Sequence, residues 1–448
     1  MKHTPYPAYK PSGIEWLGDV PEHWESKRLK FLASTNDDTL SEAEDPLRAI
    51  TYVDIRSVDS IAGITHTEDM VFEDAPSRAR RLVRDGDTII STVRTYLRAI
   101  APIRNPSPET VVSTGFAVIR PQKMDSGFAT WAFREHGFIE EIVARSTGVS
   151  YPAINASQIG HLPIPFPPQP EQHAIAAFLD HETARVDALI AKKHLLIDRL
   201  AEYRTALITR TVTKGLPPDI AEAEGFDPSP RLKPSGVEWL GEVPEHWAIS
   251  QLRRTFDIVN GGTPASGNER YWGGETDWLT PDDLGRNRAM WISGGRRKIT
   301  RDGVQNSSAQ VSPEGSIVLS TRAPIGHLAI TSVPAATNQG CRTLVPATTV
   351  NGCFAYYSLL ASRSVLQSLG KGSTFMELTP TDLGGHQIPL PPQPEQRAIA
   401  KFLDKQTKRI DTLSSRVKTA IERLTEYRTA LITAAVTGKI DIRENNAA

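Results

Sequence analysis

Two stretches of this 448-residue chain concentrate positive charge, although its formal net charge is −1. Residues 78–104 hold seven arginines (Arg78, Arg80, Arg81, Arg84, Arg94, Arg98 and Arg104) against two acids, Asp85 and Asp87. Residues 286–301 hold Arg286, Arg288, Arg296, Arg297, Lys298 and Arg301 with no acid among them. Lysines and arginines beside small hydroxyls suit phosphate contacts, and the arginine fork also matches one edge of guanine. In the first stretch an apolar, strand-like Thr88-Ile89-Ile90 runs into Ser91-Thr92-Val93-Arg94-Thr95-Tyr96. In the second half of the chain Ile317-Val318-Leu319 runs into Ser320-Thr321-Arg322. One local shape thus occurs twice. It makes Thr92, Arg94, Tyr96, Thr321 and Arg322 candidate DNA contacts, with Arg78, Arg80, Arg81, Arg98, Arg296, Arg297 and Lys298 around them. For any one of these arginines the alternative is a solvated surface charge. Two Gly-Ser/Thr turns, 146–151 and 370–374, add Ser146, Thr147, Lys371, Ser373 and Thr374, whose amides and hydroxyls suit phosphate or simply form turns.

Catalytic chemistry finds no comparable support. An adenine methyltransferase needs a glycine-rich cofactor loop and an Asn/Asp-Pro-Pro-aromatic run. Phe166-Pro167-Pro168-Gln169 has the prolines but neither the leading amide nor the trailing aromatic. Pro281-Asp282-Asp283 offers two acids to a metal-dependent nuclease, without an acid-x-lysine partner downstream. Gly370-Lys371-Gly372-Ser373 lacks the spacing of a P-loop, and neither His23 nor His246 has a persuasive nucleophile. The two cysteines, Cys341 and Cys353, make no CxxC pair, so no zinc framework is expected and a reduced, cytoplasmic setting fits. No apolar run approaches the ~18 residues of a membrane span, and the N-terminal stretch lacks a signal-peptide core. The expectation is a binding protein with no metal and no cofactor of its own.

The elements that position these residues come from an internal repeat. KPSGIEWLGDVPEHW at residues 10–24 recurs as KPSGVEWLGEVPEHW at 233–247, an offset of 223. Pro167-Pro168-Gln169-Pro170-Glu171-Gln172 recurs from Pro391 to Gln396, and Glu202–Thr209 recurs as Glu426–Thr433, both at an offset of 224. Between these blocks the halves look unrelated. A kept frame with diverged contents indicates a duplicated module followed by a helix.

Each Pro-Pro-Gln-Pro-Glu-Gln is a helix entrance, since proline is tolerated only in the first turn. Beyond it the apolar residues follow a 4–3 spacing. In the second copy they are Ile399, Leu403, Ile410, Leu413, Val417, Ala420, Leu424, Tyr427 and Leu431, with Gln406 in the seam. In the first they are Ile175, Leu179, Val186, Leu189, Leu196, Leu200, Tyr203 and Leu207, interrupted by Glu182 and Lys193. That pattern predicts a coiled-coil seam in a helix of roughly 40 residues, about 60 Å long. Gly215 and Gly438 mark the stops. Two amphipathic helices of one globular core are the alternative. Trp16, Trp24, Trp239 and Trp247 recur in identical context, which favours packing or partner docking over base stacking. Tyr203 and Tyr427 fall on the expected seam.

The expected fold is therefore mixed α/β (α+β): two globular recognition domains separated by two long antiparallel coiled-coil helices, with a pseudo-two-fold internal repeat. The boundaries are 1–166 for the first domain, 167–214 for its helix and 215–232 for a linker. The second domain follows at 233–390, its helix at 391–437 and a tail at 438–448. Within the domains, strands are expected at Thr88–Thr92 and Phe116–Ile119, and helices near 127–145 and 353–369.

The frame PSGxEWLGxVPEHW, the PPQPEQ entrance and the EYRTALIT helix end together resemble the specificity subunit of Type I restriction–modification enzymes. So do Gly261-Gly262-Thr263-Pro264, Tyr271-Trp272-Gly273-Gly274, Trp278–Leu284, Ser320–Gly326 and Asn338-Gln339-Gly340 in the second domain. Thr263, Asn338 and Gln339 join the candidate DNA contacts on that basis. The resemblance covers nearly the whole chain, but the first domain lacks the GGTP…YWGG run. It implies a non-catalytic subunit that reads a bipartite, asymmetric site on double-stranded DNA. The implied partners are two adenine-methylating subunits, which would carry S-adenosylmethionine, and optional ATP-dependent translocating restriction subunits; no membrane is implied. A coiled-coil scaffold that does not read DNA is the competing class.

Overall fold

The computed structural model describes residues 4–372 and 376–443. The two long helices are Gln169–Lys214 and Gln393–Val436. The chain divides into two compact units, Met1–His194 with Lys418–Ala448, and Leu195–Val417. Each unit therefore holds one recognition domain, the first part of the helix that follows it and the last part of the other long helix.

The first unit contains two four-stranded sheets. One is antiparallel, in the order Ile100–Pro102, Thr88–Ser91, Phe116–Pro121, Ala33–Thr35. The other runs Glu68–Val71, Ala49–Val53, Thr110–Ser113, Ala79–Leu82, with its two central strands parallel. Helices Ser126–Phe133 and His136–Arg145 pack beneath. The second unit has a five-stranded sheet, Phe256–Asn260, Cys341–Pro346, Ile317–Ser320, Leu328–Thr331, Trp291–Ile292. Beside it lies a three-stranded sheet, Arg297–Ile299, Trp272–Leu279, Ala335–Thr337, and helices Gly352–Ala361 and Arg363–Ser368.

The repeated motifs interlock with one another. Glu171, buried in the first turn of its helix, accepts from Trp24 Nε1 at 2.8 Å and Tyr6 Oη at 3.0 Å and pairs with His23 at 2.6 Å. Glu395 pairs with His246 at 2.9 Å in the same way, with Trp247 buried alongside. The adjoining glutamines lock helix to domain. Gln172 accepts from the Asp125 amide and donates to the Pro167 carbonyl; Gln396 accepts from the Asn351 amide and donates to the Pro391 carbonyl. Two turns on, Asp180 accepts from Trp131 Nε1 at 3.0 Å and Asp404 from Tyr357 Oη at 2.8 Å. Trp24 and Trp247 are thus core residues. Trp16 and Trp239 are half-buried against the same cores, Trp239 stacked on His386.

Within each unit the two helical segments run antiparallel. In the first, Asp187 meets Arg428 at 2.9 Å and Glu171 meets Arg443 at 4.0 Å; in the second, Arg204 meets Asp411 at 3.1 Å while Gly215 adjoins Glu395. The least exposed stripe on the first helix passes through Ile175, Leu179, Thr183, Val186, Ile190 and Ile197 to Arg204 and Ile208, and its counterpart on the second ends at Arg428 and Ile432. Tyr203 and Tyr427 lie off it, 58% and 45% exposed, and so do Leu189, Leu196 and Leu413. The seam placed on the two tyrosines is therefore corrected. A straight helix turns once in about 3.6 residues, so a strict 3.5 repeat loses register along its length. By the helix end the buried position has moved one residue on, from tyrosine to arginine.

Candidate nucleic-acid interface

Both domains build the same strand end. Thr92 donates its amide and its hydroxyl to the Gly115 carbonyl, at 2.8 and 2.9 Å. Thr321 does likewise to Gly340, at 2.8 and 3.2 Å. Next to each lies a left-handed residue, Arg94 (φ 51°) in the first domain and Ala323 (φ 56°) in the second. The loop ahead of each helix entrance closes on the strand end, through Ile154 N–H to the Thr92 carbonyl and Leu378 N–H to the Thr321 carbonyl, both 2.9 Å. A side chain at Gly340 would approach Pro281 at 3.0 Å and Arg322 Nε at 3.2 Å, and one at Gly115 would overlap Ile55. Glycine lets the neighbouring turn close over the strand end.

This geometry divides the candidates. Thr92 and Thr321 are buried and their hydroxyls are committed to backbone, so they are structural and not DNA contacts. Arg94 and Arg322 project from one framework but from different positions: Arg94 is two residues past its threonine, Arg322 one. Neither has a carboxylate partner. Arg94 lies 4.8 Å over the Tyr151 ring, and Arg322 makes no hydrogen bond or ion pair among the described residues.

Most of the remaining cationic run is engaged. Arg78 binds Asp54 at 2.9 Å and Tyr52 at 3.1 Å, Arg84 binds Asp38, Arg98 binds Glu140 and Arg104 binds Asp180. Arg80 stacks on Phe72, and Arg81 donates to Thr39. In the second domain Arg286 and Arg296 share Asp282, Arg296 also reaches Asp283, and Lys298 pairs with Asp277. Arg297 lies 3.5 Å over the Trp272 ring. Burial raises the Asp54 and Asp283 carboxyls. Hydrogen bonds outweigh it, from the Arg56 amide and Arg78 for Asp54 and from Thr280 and Arg296 for Asp283, holding both below the usual carboxylate range.

The other candidates separate in the same manner. Ser146 caps its helix by donating to the Ile142 carbonyl and accepts from Thr95; Thr147 is exposed, with its backbone paired to Ala153. Tyr96 is 53% exposed. Thr263 donates to Gln339 Oε1 on the surface, whereas Asn338 turns back to accept from the Gly340 amide. Gly261 and Gly262 leave no room for a side chain beside the Asn338 carbonyl and the Ala309 amide, so the GGTP run is a close-packing device. Lys371 pairs with Asp382 at 2.9 Å; Ser373 and Thr374 lie outside the described residues.

The structure adds Arg56, which lies outside both cationic stretches. It follows the strand Ala49–Val53 in a turn capped by Asp54, is exposed, and has no side-chain partner among the described residues. With Arg94, Arg78 and Tyr151 it lines a cleft of about 420 Å³ in which the only acid among the described residues, Asp54, is held by Arg78. The Asp-x-Arg following a strand was the available signal. Among the described residues no group of His, Cys, Asp and Glu is arranged to hold a metal ion, and no helix is long and apolar enough to cross a membrane.

Comparison with known proteins gives a consistent picture. The family described as Type I restriction modification DNA specificity domain matches residues 21–197 and 244–423. The chain is 36% identical over 167 residues to the MjaIX specificity subunit of Methanocaldococcus jannaschii, covering 37% of this chain and 38% of that one. It is 26% identical over 448 residues to the putative MjaX specificity subunit of the same organism, with 95% and 96% covered. Among solved structures it resembles a chain from a study of complex assembly and conformational transition of the type I R-M system, with TM-score 0.73, 25% identity and 94% and 99% covered. The HsdS subunit from Thermoanaerobacter tengcongensis gives a TM-score of 0.54 at 25% identity, with 94% and 98% covered.

Proposed function

The chain belongs to the Type I restriction modification DNA specificity family, and we propose that its two strand-end faces read the two unlike halves of one bipartite DNA site. The chain is the sequence-reading subunit of a restriction–modification complex and has no catalytic role. The observation that carries the two-face reading is a shared Thr–Gly strand end bearing different side chains: half-buried Arg94 with exposed Arg56 in one domain, half-buried Arg322 with exposed Gln339 and Thr263 in the other. The same frame with unlike side chains suits two half-sites of different sequence. Arginine provides both phosphate attraction and bidentate base contact.

The partners that follow from this role are two adenine-methylating subunits, with ATP-dependent restriction subunits as an optional addition. S-adenosylmethionine belongs to the methylating partner, which extracts the target base from the stack. The exposed Tyr203 and Tyr427, repeated but off the buried stripe, suit a surface for those partners. Methylome sequencing of a host carrying this subunit and a methylating partner tests the proposal. The expected result is methylated adenine in a two-part asymmetric motif. Arg322→Ala should relax one position in one half only, and a methylated motif identical for the wild-type and variant subunits would count against the assignment of that face.

A further inference from the structure

Two adjoining loops of the first domain carry apolar side chains into solvent beside arginines that have no acid partner. The loop Thr147–Ala153 is closed at its base by two backbone hydrogen bonds of 2.9 Å between those residues, and the Arg94 amide donates to the Pro152 carbonyl at 2.8 Å. Gly148, at φ +111°, makes the corner, where a side chain would meet the Tyr151 carbonyl at 3.1 Å. At the tip Val149 is fully exposed and Tyr151 is 65% exposed. The neighbouring turn Thr95–Leu97, tied on by Thr95 Oγ1 to Ser146 Oγ at 2.8 Å, adds the exposed Tyr96 and Leu97. Anchored on both sides, the tip has its shape before any partner arrives.

Scattered exposed apolar residues are ordinary, but a cluster of them with a polar rim marks a contact surface. Here the rim selects the partner. Arg94 and Arg56 are cations without carboxylates, and Glu140, an acid nearby, is taken by Arg98. A polyanion with an apolar interior fits that combination, and duplex DNA has charged edges and stacked bases. Proteins that push apolar side chains between base steps unstack them and bend the duplex.

We propose that the first domain drives the Val149–Tyr151 tip between two base pairs of its half-site as a wedge, with the neighbouring arginines holding the backbone on either side. The wedge rests on the DNA-reading function proposed above, and it makes sequence-dependent deformability part of what this domain reads.

The test uses the full subunit assembled with its methylating partner and duplexes carrying the target defined by methylome sequencing. 2-Aminopurine is placed at successive positions of each half-site. Besides the target adenines that the methylating partner extracts, the wild-type complex should raise its fluorescence at one further step, in one half-site only. Val149→Ser alone, which removes no internal contact, and Val149→Ser with Tyr151→Ser should lose that signal and bind intact target about tenfold more weakly. On a duplex with an abasic gap at that step, all three proteins should bind alike. Wild-type fluorescence and affinity in both variants would overturn the wedge while leaving site-specific binding intact. Failure of the variants to assemble with the methylating subunit would overturn it as well, by making the tip a protein contact. A wild-type complex that does not prefer the target over a scrambled duplex would instead overturn the DNA-reading function itself.

Discussion

At the residue scale, Thr321 and Arg322 are adjacent in sequence and opposite in consequence. Removing the Thr321 hydroxyl leaves the Gly340 carbonyl one donor short in the core, so Thr321→Val should destabilise the fold by about 1 kcal/mol and lower the melting temperature. Arg322→Ala touches no internal partner and should leave stability within about 0.5 kcal/mol. On the reading proposed for its face, the substitution should cost about 1–3 kcal/mol of discrimination at one base position. His386 carries a third expectation. Buried and hydrogen-bonded to Ser362, its imidazole is driven by desolvation from 6.5 down to about 4. The unfolded chain takes up the proton first, so the ring's contribution is complete above about pH 6.5 and falls away toward pH 4, by roughly 3 kcal/mol at most. The difference in urea midpoint between wild type and His386→Gln should shrink over that window as the pH is lowered. The strand-end shape was legible in the sequence because it is local, Ser-Thr after an apolar run. The free arginines were not. Asp54, Asp38, Glu140 and Asp180, which engage their neighbours, lie tens of residues away and only the fold brings them near.

At the scale of elements, the long helices were legible in length and ends because proline entrances and glycine stops are local signals. Their buried stripe was not, since a one-residue drift is invisible until the helix is drawn at 3.6 residues per turn. The consequence falls on the Tyr-Arg pair that both helices share. Arg428 is 8% exposed and meets Asp187 through two bonds of 2.9 and 3.2 Å. Because Asp187 is partly solvated, Arg428→Ala should cost about 2 kcal/mol, less than a fully buried pair would. Tyr427→Ala should change stability by less than about 0.5 kcal/mol. Arg204→Ala, whose partner Asp411 is 59% exposed, should fall between them. Chemical denaturation of the three variants orders them. A Tyr427 variant less stable than the Arg428 variant would return the seam to the tyrosine.

For the whole molecule, the repeated residues define what has to be preserved when a domain is exchanged. The frame grips each domain through its cap residue and one aromatic donor: Asp125 and Trp131 against Gln172 and Asp180, Asn351 and Tyr357 against Gln396 and Asp404. A domain from another specificity subunit should therefore dock in place of residues 25–166 when it supplies a backbone N–H for Gln172 and an N–H or O–H donor for Asp180. A donor with phenylalanine opposite Asp180 would leave that carboxylate without its aromatic hydrogen bond and melt at a lower temperature. Once docked, the chimaera should methylate a motif in which one half is new and the other unchanged. A motif altered in both halves would mean that the domains do not read independently. Salt provides the second readout. With a net charge of −1, attraction to the duplex has to come from the local arginines, and log affinity should fall with log salt by about 0.9 per phosphate neutralised. Exchanging one domain should change that slope by the phosphates its own face contacts, whereas Arg322→Ala should alter base preference with a change in slope of at most about one.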